Sequence, residues 1–95
     1  MVIGVGVITL GLHDCRSLKA KRGIIRSSVH RLRNGFNASI AEVNLNDSLT
    51  RAEVGFAMVG NDRRTINSKM DKLIDFTENL YLAELIETKM EIINI

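Results

Sequence analysis

The sequence predicts an α+β fold with the element order β-α-β-β-α-β, and three observations carry that prediction. Four segments, 2–12, 36–44, 51–59 and 84–93, alternate in side-chain character with the two-residue period of a strand. Two others, 17–33 and 62–80, repeat apolar residues at helical spacing. The middle two strand segments are joined only by a polar stretch around Asn46-Asp47-Ser48, which suits an antiparallel hairpin. The 95 residues are 45% apolar and 25% charged and show no linker or internal repeat, so one domain spanning 1–95 is expected.

In the first strand, Ile3, Val5, Val7 and Thr9 share one face, and Val2, Gly4, Gly6, Ile8 and Leu10 share the other. Both faces are largely apolar, as in a strand at the middle of a sheet. Its glycines weaken a strand unless something packs closely against them. Leu18, Ile25, Val29 and Leu32 form the stripe of the first helix, with Ser17 as N-cap and Gly23 as a weak point inside it. Asn34-Gly35 ends that helix, because both residues tolerate a left-handed backbone. In the second strand Phe36, Ala38, Ile40 and Glu42 face one way and Ser39, Ala41 and Val43 the other. The third strand has an apolar face of Ala52, Val54, Phe56 and Met58. Asn61 or Asp62 caps the second helix, whose stripe is Ile66, Met70, Leu73, Ile74, Thr77 and Leu80, with Tyr81 closing the edge of the core. The last strand puts Ile86, Thr88, Met90 and Ile92 opposite Glu87, Lys89 and Glu91, the pattern of an edge strand with one wet face.

Two β-α-β units split around a hairpin give the ferredoxin-like arrangement: a four-stranded antiparallel sheet of order 4-1-3-2 with two helices on one face. If Val54, Phe56 and Met58 meet the helices, then Glu53, Gly55, Ala57 and Val59 face away, and Gly4, Gly6, Ile8 and Leu10 are expected beside them. A bare face of this kind often meets another chain, so a homodimer through the open face or an edge strand is expected, with Gly4, Gly6, Ile8, Glu42, Glu53 and Gly55 as interface candidates. The alternative is a solvated face with scattered apolar residues. A hairpin that pairs residue 45 with 50 sets Glu42 opposite Glu53 on the uncovered face. Such like charges need relief from a partner's arginine, a proton or a cation, and the alternative is a register slip that separates them.

Charge is concentrated by region. The net charge is only +2, but residues 1–33 hold seven Lys/Arg against Asp14 alone, whereas residues 70–95 hold Lys72 and Lys89 against six acids. Lys19, Arg22, Arg26 and Arg33 fall near one line of the first helix, about a quarter-turn from its apolar stripe. Arg16, Lys19, Lys21, Arg22, Arg26 and Arg33 are therefore candidates for phosphate contacts to RNA or a ribosomal particle, with Arg63 at the start of the second helix extending the surface. No strand carries an aromatic pair for stacking bases, so sequence-specific reading is not expected. The alternatives are a solvated helix face and a site for an acidic protein partner.

Other chemistry is poorly served. Gly4, Gly6 and Gly11 lack the lysine-serine ending and the spacing of phosphate-binding loops. His13, Asp14 and Cys15 are adjacent, with no spaced second cluster for a metal, and no metal or cofactor is expected. An enzyme using Glu42 with Glu53, or Cys15, is the weakest of the readings; no catalytic residue is assigned. A single cysteine makes no internal disulfide, which suits a reducing cytoplasm. The uncharged run Met1–Leu12 is too short for a bilayer, and no membrane partner is expected.

The sequence also resembles the YlxP-like proteins, a small bacterial family catalogued as a domain of unknown function. The likeness lies in Met1-Val2-Ile3-Gly4-Val5, in Cys15-Arg16-Ser17-Leu18-Lys19-Ala20-Lys21-Arg22, and in Leu32-Arg33-Asn34, Phe36-Asn37 and Ala41-Glu42-Val43. It continues through Arg51-Ala52-Glu53-Val54-Gly55 and Asn61-Asp62-Arg63. His13-Asp14 stands where the family often has Pro-Gly, and Gly23 where it usually has a helix former. The resemblance implies a ferredoxin-like fold. Through the family's gene neighbourhood it also implies a ribosome-associated role, and it assigns no biochemical activity.

Overall fold

The two periodicities become six elements in the structure, a computed structural model that describes residues 1–80 and 82–95. They are β1 (Val2–Gly11), α1 (Leu18–Gly35), β2 (Ser39–Asn44), β3 (Arg51–Gly60), α2 (Arg63–Asn79) and β4 (Glu84–Asn94). The sheet has the order β2-β3-β1-β4 with every neighbouring pair antiparallel, which is the expected 4-1-3-2 read from the other edge. Tyr81 lies outside the described residues.

Local chemistry sets the helix ends. Ser17 has an extended backbone, and its Oγ accepts from the Ala20 N–H at 3.0 Å. Asp62 caps α2 by accepting from the Thr65 hydroxyl at 2.7 Å and the Thr65 N–H at 2.9 Å. These two hydrogen bonds, the hydroxyl's first, hold its carboxyl below the ordinary 3.8. α1 does end at Gly35, but no glycine has a positive φ. The chain instead turns into extended backbone at Phe36, whose N–H donates to the Leu32 carbonyl at 3.0 Å.

A single core cluster joins one face of the sheet to both helices. Ile25, Val29 and Leu32 come from α1, Ile66, Met70 and Leu73 from α2, and Ile40, Val54, Phe56 and Met58 from β2 and β3. β1 turns to this face the set expected on the other side. Its register pairs Gly4 with Met58, Gly6 with Phe56 and Ile8 with Val54, and residues directly opposite share a face. Gly4, Gly6 and Ile8 are therefore covered by the helices, and Ile3, Val5 and Val7 lie on the open face.

The glycines explain the choice. A Cβ on Gly4 would come within 2.6 Å of Ile66 Cγ2 and 2.9 Å of Met70 Sδ. One on Gly6 would overlap the Phe56 ring and approach the Lys89 backbone carbonyl to 2.9 Å. The two glycines are notches that admit large side chains from β3 and α2. Gly6→Ala is expected to destabilise the fold by about 1–3 kcal/mol in urea unfolding, because a backbone carbonyl cannot swing aside as a side chain can. Gly23 is the opposite case: it is exposed in mid-helix, and a Cβ there would meet nothing within 4 Å. Gly23→Ala is expected to stabilise the protein by about 1 kcal/mol and to raise its melting temperature.

Candidate nucleic-acid interface

α1 has two chemically distinct sides. Its buried side is Lys21, Ile25, Ser28, Val29 and Leu32. Lys19, Arg22, Arg26, His30 and Arg33 are all exposed, and at 3.6 residues per turn they occupy a sector of about 80°. Arg16 is exposed just before the helix. Arg63 is exposed too, but it stands apart from Arg16 and Lys19. β1 and β3 are antiparallel, so α1 begins past Gly11 at one end of the sheet and α2 past Gly60 at the other.

Lys21 does not join this surface. It is 1% exposed, a member of the buried stripe at the spacing 21, 25, 28, 32. Its ammonium donates to the Leu45 carbonyl and lies 3.5 Å from Glu42 Oε2. Leu45 has φ 61°, a left-handed conformation that costs a residue with a Cβ about 1–2 kcal/mol. Lys21 thus ties the start of α1 to the strained turn between β2 and β3.

That turn also separates the two carboxylates expected to oppose each other. Glu42 pairs with Val54, Glu53 pairs with Asn44, and the register shifts between them at Val43. Glu42 consequently lies on the helix-covered face beside Lys21. Glu53 stays on the open face opposite Thr9. Gly55 stays there too, with Val43 packed over it. No paired-carboxylate chemistry is available between groups on opposite faces of a sheet.

Among the described residues the ion pairs are Lys21–Glu42 and His13–Glu84, the latter at 2.7 Å on the surface. Arg16, Lys19, Arg22, Arg26 and Arg33 therefore have no carboxylate within 4 Å. Arg33 alone is tied down: its Nε and Nη2 donate to the Ile40 carbonyl at 3.1 and 2.6 Å. That contact also covers a polar backbone group on the edge strand β2. Cys15 is half-buried, its Sγ 3.5 Å from the Ser17 carbonyl. No group of three or more His, Cys, Asp or Glu converges among the described residues.

The open sheet face is the second surface. Its centre is Val5, Val7, Gly55 and Ala57; toward its margins Val59 is 63%, Val43 53% and Ile93 39% exposed. Shallow grooves of about 270 and 360 Å³ flank Val7, one against Lys89 and Glu91 and the other against Ala41 and Val43. The sequence marked the existence of this face but not its β1 membership, because both faces of β1 are apolar. The pairing of glycines with Phe56 and Met58 is the signal that would have decided it.

The chain is 28% identical over 90 residues to the uncharacterized protein YlxP of Bacillus subtilis (strain 168), covering 95% of this chain and 98% of the relative. Among solved structures, that of a REP-associated tyrosine transposase bound to a REP hairpin is similar with a TM-score of 0.45 at 9% identity. That likeness covers 98% of this chain and 56% of the other, so the chain spans little more than half that protein's length. The model of a family of proteins of unknown function, DUF503, matches residues 3–90, and the chain belongs to that family.

Proposed function

We propose that the protein is a non-enzymatic accessory protein that contacts RNA, in a ribosomal setting, through the exposed basic sector of α1. The observation that carries this reading is the clustering of Lys19, Arg22, Arg26 and Arg33 in one exposed sector of α1, where among the described residues no carboxylate lies within 4 Å of them. Cationic side chains left without a carboxylate partner are available to phosphates, whose counterions are released on binding. Removal of Lys21 from the set leaves this sector intact. A cytoplasmic location accords with the lone cysteine. No described helix is long and apolar enough to cross a membrane.

Self-association belongs to the same reading and is supported by the open face. Three strands of ten or eleven residues and one of six, spaced about 4.8 Å apart, present roughly 600 Å². Two such faces bury roughly 1,200 Å², the lower bound for a specific interface. Lys89 lies between Glu87 and Glu91 on β4, so two copies can place unlike charges against each other around the valines. Stacking the open faces leaves both α1 helices on the outside.

Filter binding to ribosomal RNA tests the reading. Arg22→Glu with Arg26→Glu is expected to lower affinity about 100-fold, from lost counterion release and added repulsion. Unchanged affinity would overturn it. Capture of an acidic protein that survives nuclease treatment, with no RNA retained, would favour the alternative partner.

A further inference from the structure

We infer that the α1–β2 groove is a phosphate-binding site, the place within the basic sector where a phosphoryl group is held. This deepens the RNA reading and rests on it for the identity of the phosphoryl donor. The groove has a volume of about 240 Å³ and is lined by Arg22, Arg26, Arg33 and Glu42 over a floor that includes Ile25 and Val29. Three guanidiniums surround one carboxylate. In isolation that carboxylate would draw the arginines onto itself and close the groove.

The buried lysine prevents this. Glu42 Oε2 is buried with no hydrogen-bond partner, and its charge is met from beneath by the Lys21 ammonium. No guanidinium lies within 4 Å of it. The groove therefore keeps its three arginine charges for an external anion. Arg33 is already oriented, because its two bonds to the Ile40 carbonyl fix the guanidinium at the rim and leave other N–H donors free. Arg22 and Arg26 stand one turn apart on α1 and face the same opening. The chemistry recognised is an anionic phosphoryl oxygen, supplied either by an RNA backbone or by free phosphate. Arg16 and Lys19 lie outside the groove and are left for neighbouring phosphates of a longer strand.

The test is an NMR titration of the full chain that follows the arginine Nε–H and α1 amide signals, with inorganic phosphate in one arm and an eight-nucleotide oligouridylate in the other. The expected result is shifts at Arg22, Arg26 and Arg33 in both arms, with oligouridylate about tenfold tighter through its additional charges. Arg26→Gln should weaken both about fivefold or more. Oligouridylate shifts confined to Arg16, Lys19 and His30 would overturn the groove while leaving RNA binding in place. Groove shifts with phosphate alone would keep the site and remove RNA as its source. No shift on α1 in either arm would overturn both.

Discussion

Lys21→Met is expected to destabilise the protein by about 3 kcal/mol, near the lower end of the cost of breaking a buried ion pair. The loss has two parts. Glu42, only 19% exposed, loses the ammonium that meets its buried oxygen from beneath, and the Leu45 carbonyl loses its donor in a turn already held left-handed. A domain of this size has about 5–14 kcal/mol in hand, so the loss should lower the urea midpoint and the melting temperature clearly. The double variant Lys21→Met with Glu42→Leu should recover most of the stability, since removing both charges leaves no uncompensated group. Urea unfolding of the single and double variants supplies the cycle. Equal stability of the wild type and Lys21→Met would show that the pair is not coupled to the fold.

Val7→Glu should convert a dimer to a monomer while leaving the fold intact. Val7 sits at the centre of the open face between Gly55 and Lys89, and its side chain does not enter the helix-covered core. In the stacked assembly it would be buried on both copies. Losing a valine contact on each side costs about 1.5–3 kcal/mol per copy, and burying a carboxylate costs more, so dissociation should strengthen at least 100-fold. Light scattering at high micromolar concentration should give twice 10.6 kDa for the wild type and 10.6 kDa for the variant, with matching circular dichroism. A wild-type value of 10.6 kDa would remove the sheet-face dimer.

The architecture was legible because the elements differ in period and the loops are short. Strand order, the Ser17 cap, the core face of β3 and the stripes of both helices follow from these patterns, whereas the sequence leaves the cap of α2 open between Asn61 and Asp62, and the expected hairpin register puts the face of β2 that carries Glu42 on the uncovered side. The face of β1 was not legible from alternation, since Val5 and Val7 are as apolar as Ile8 and Leu10. It is decided by volume, with Gly4 and Gly6 making room for Met58 and Phe56. The place of Lys21 and Glu42 had a signal that charge counting obscured. Each is the one charged residue on an otherwise apolar face, Lys21 at the spacing of Leu18 and Ile25, and Glu42 in line with Phe36, Ala38 and Ile40. Two opposite charges on facing apolar stripes are expected to find each other. The left-handed Leu45 and the register shift at Val43 have no such signature, and they moved Glu42 away from Glu53.

The central claim is that α1 offers several unpartnered positive charges to one polyanion at once. The slope of log affinity for single-stranded RNA against log salt concentration measures that number. Four contacts, from Lys19, Arg22, Arg26 and Arg33, predict a slope of about −2.8, falling to about −1.4 when Arg22 and Arg26 are replaced by glutamine. A slope near zero, or one that the two substitutions leave unchanged, would contradict the account.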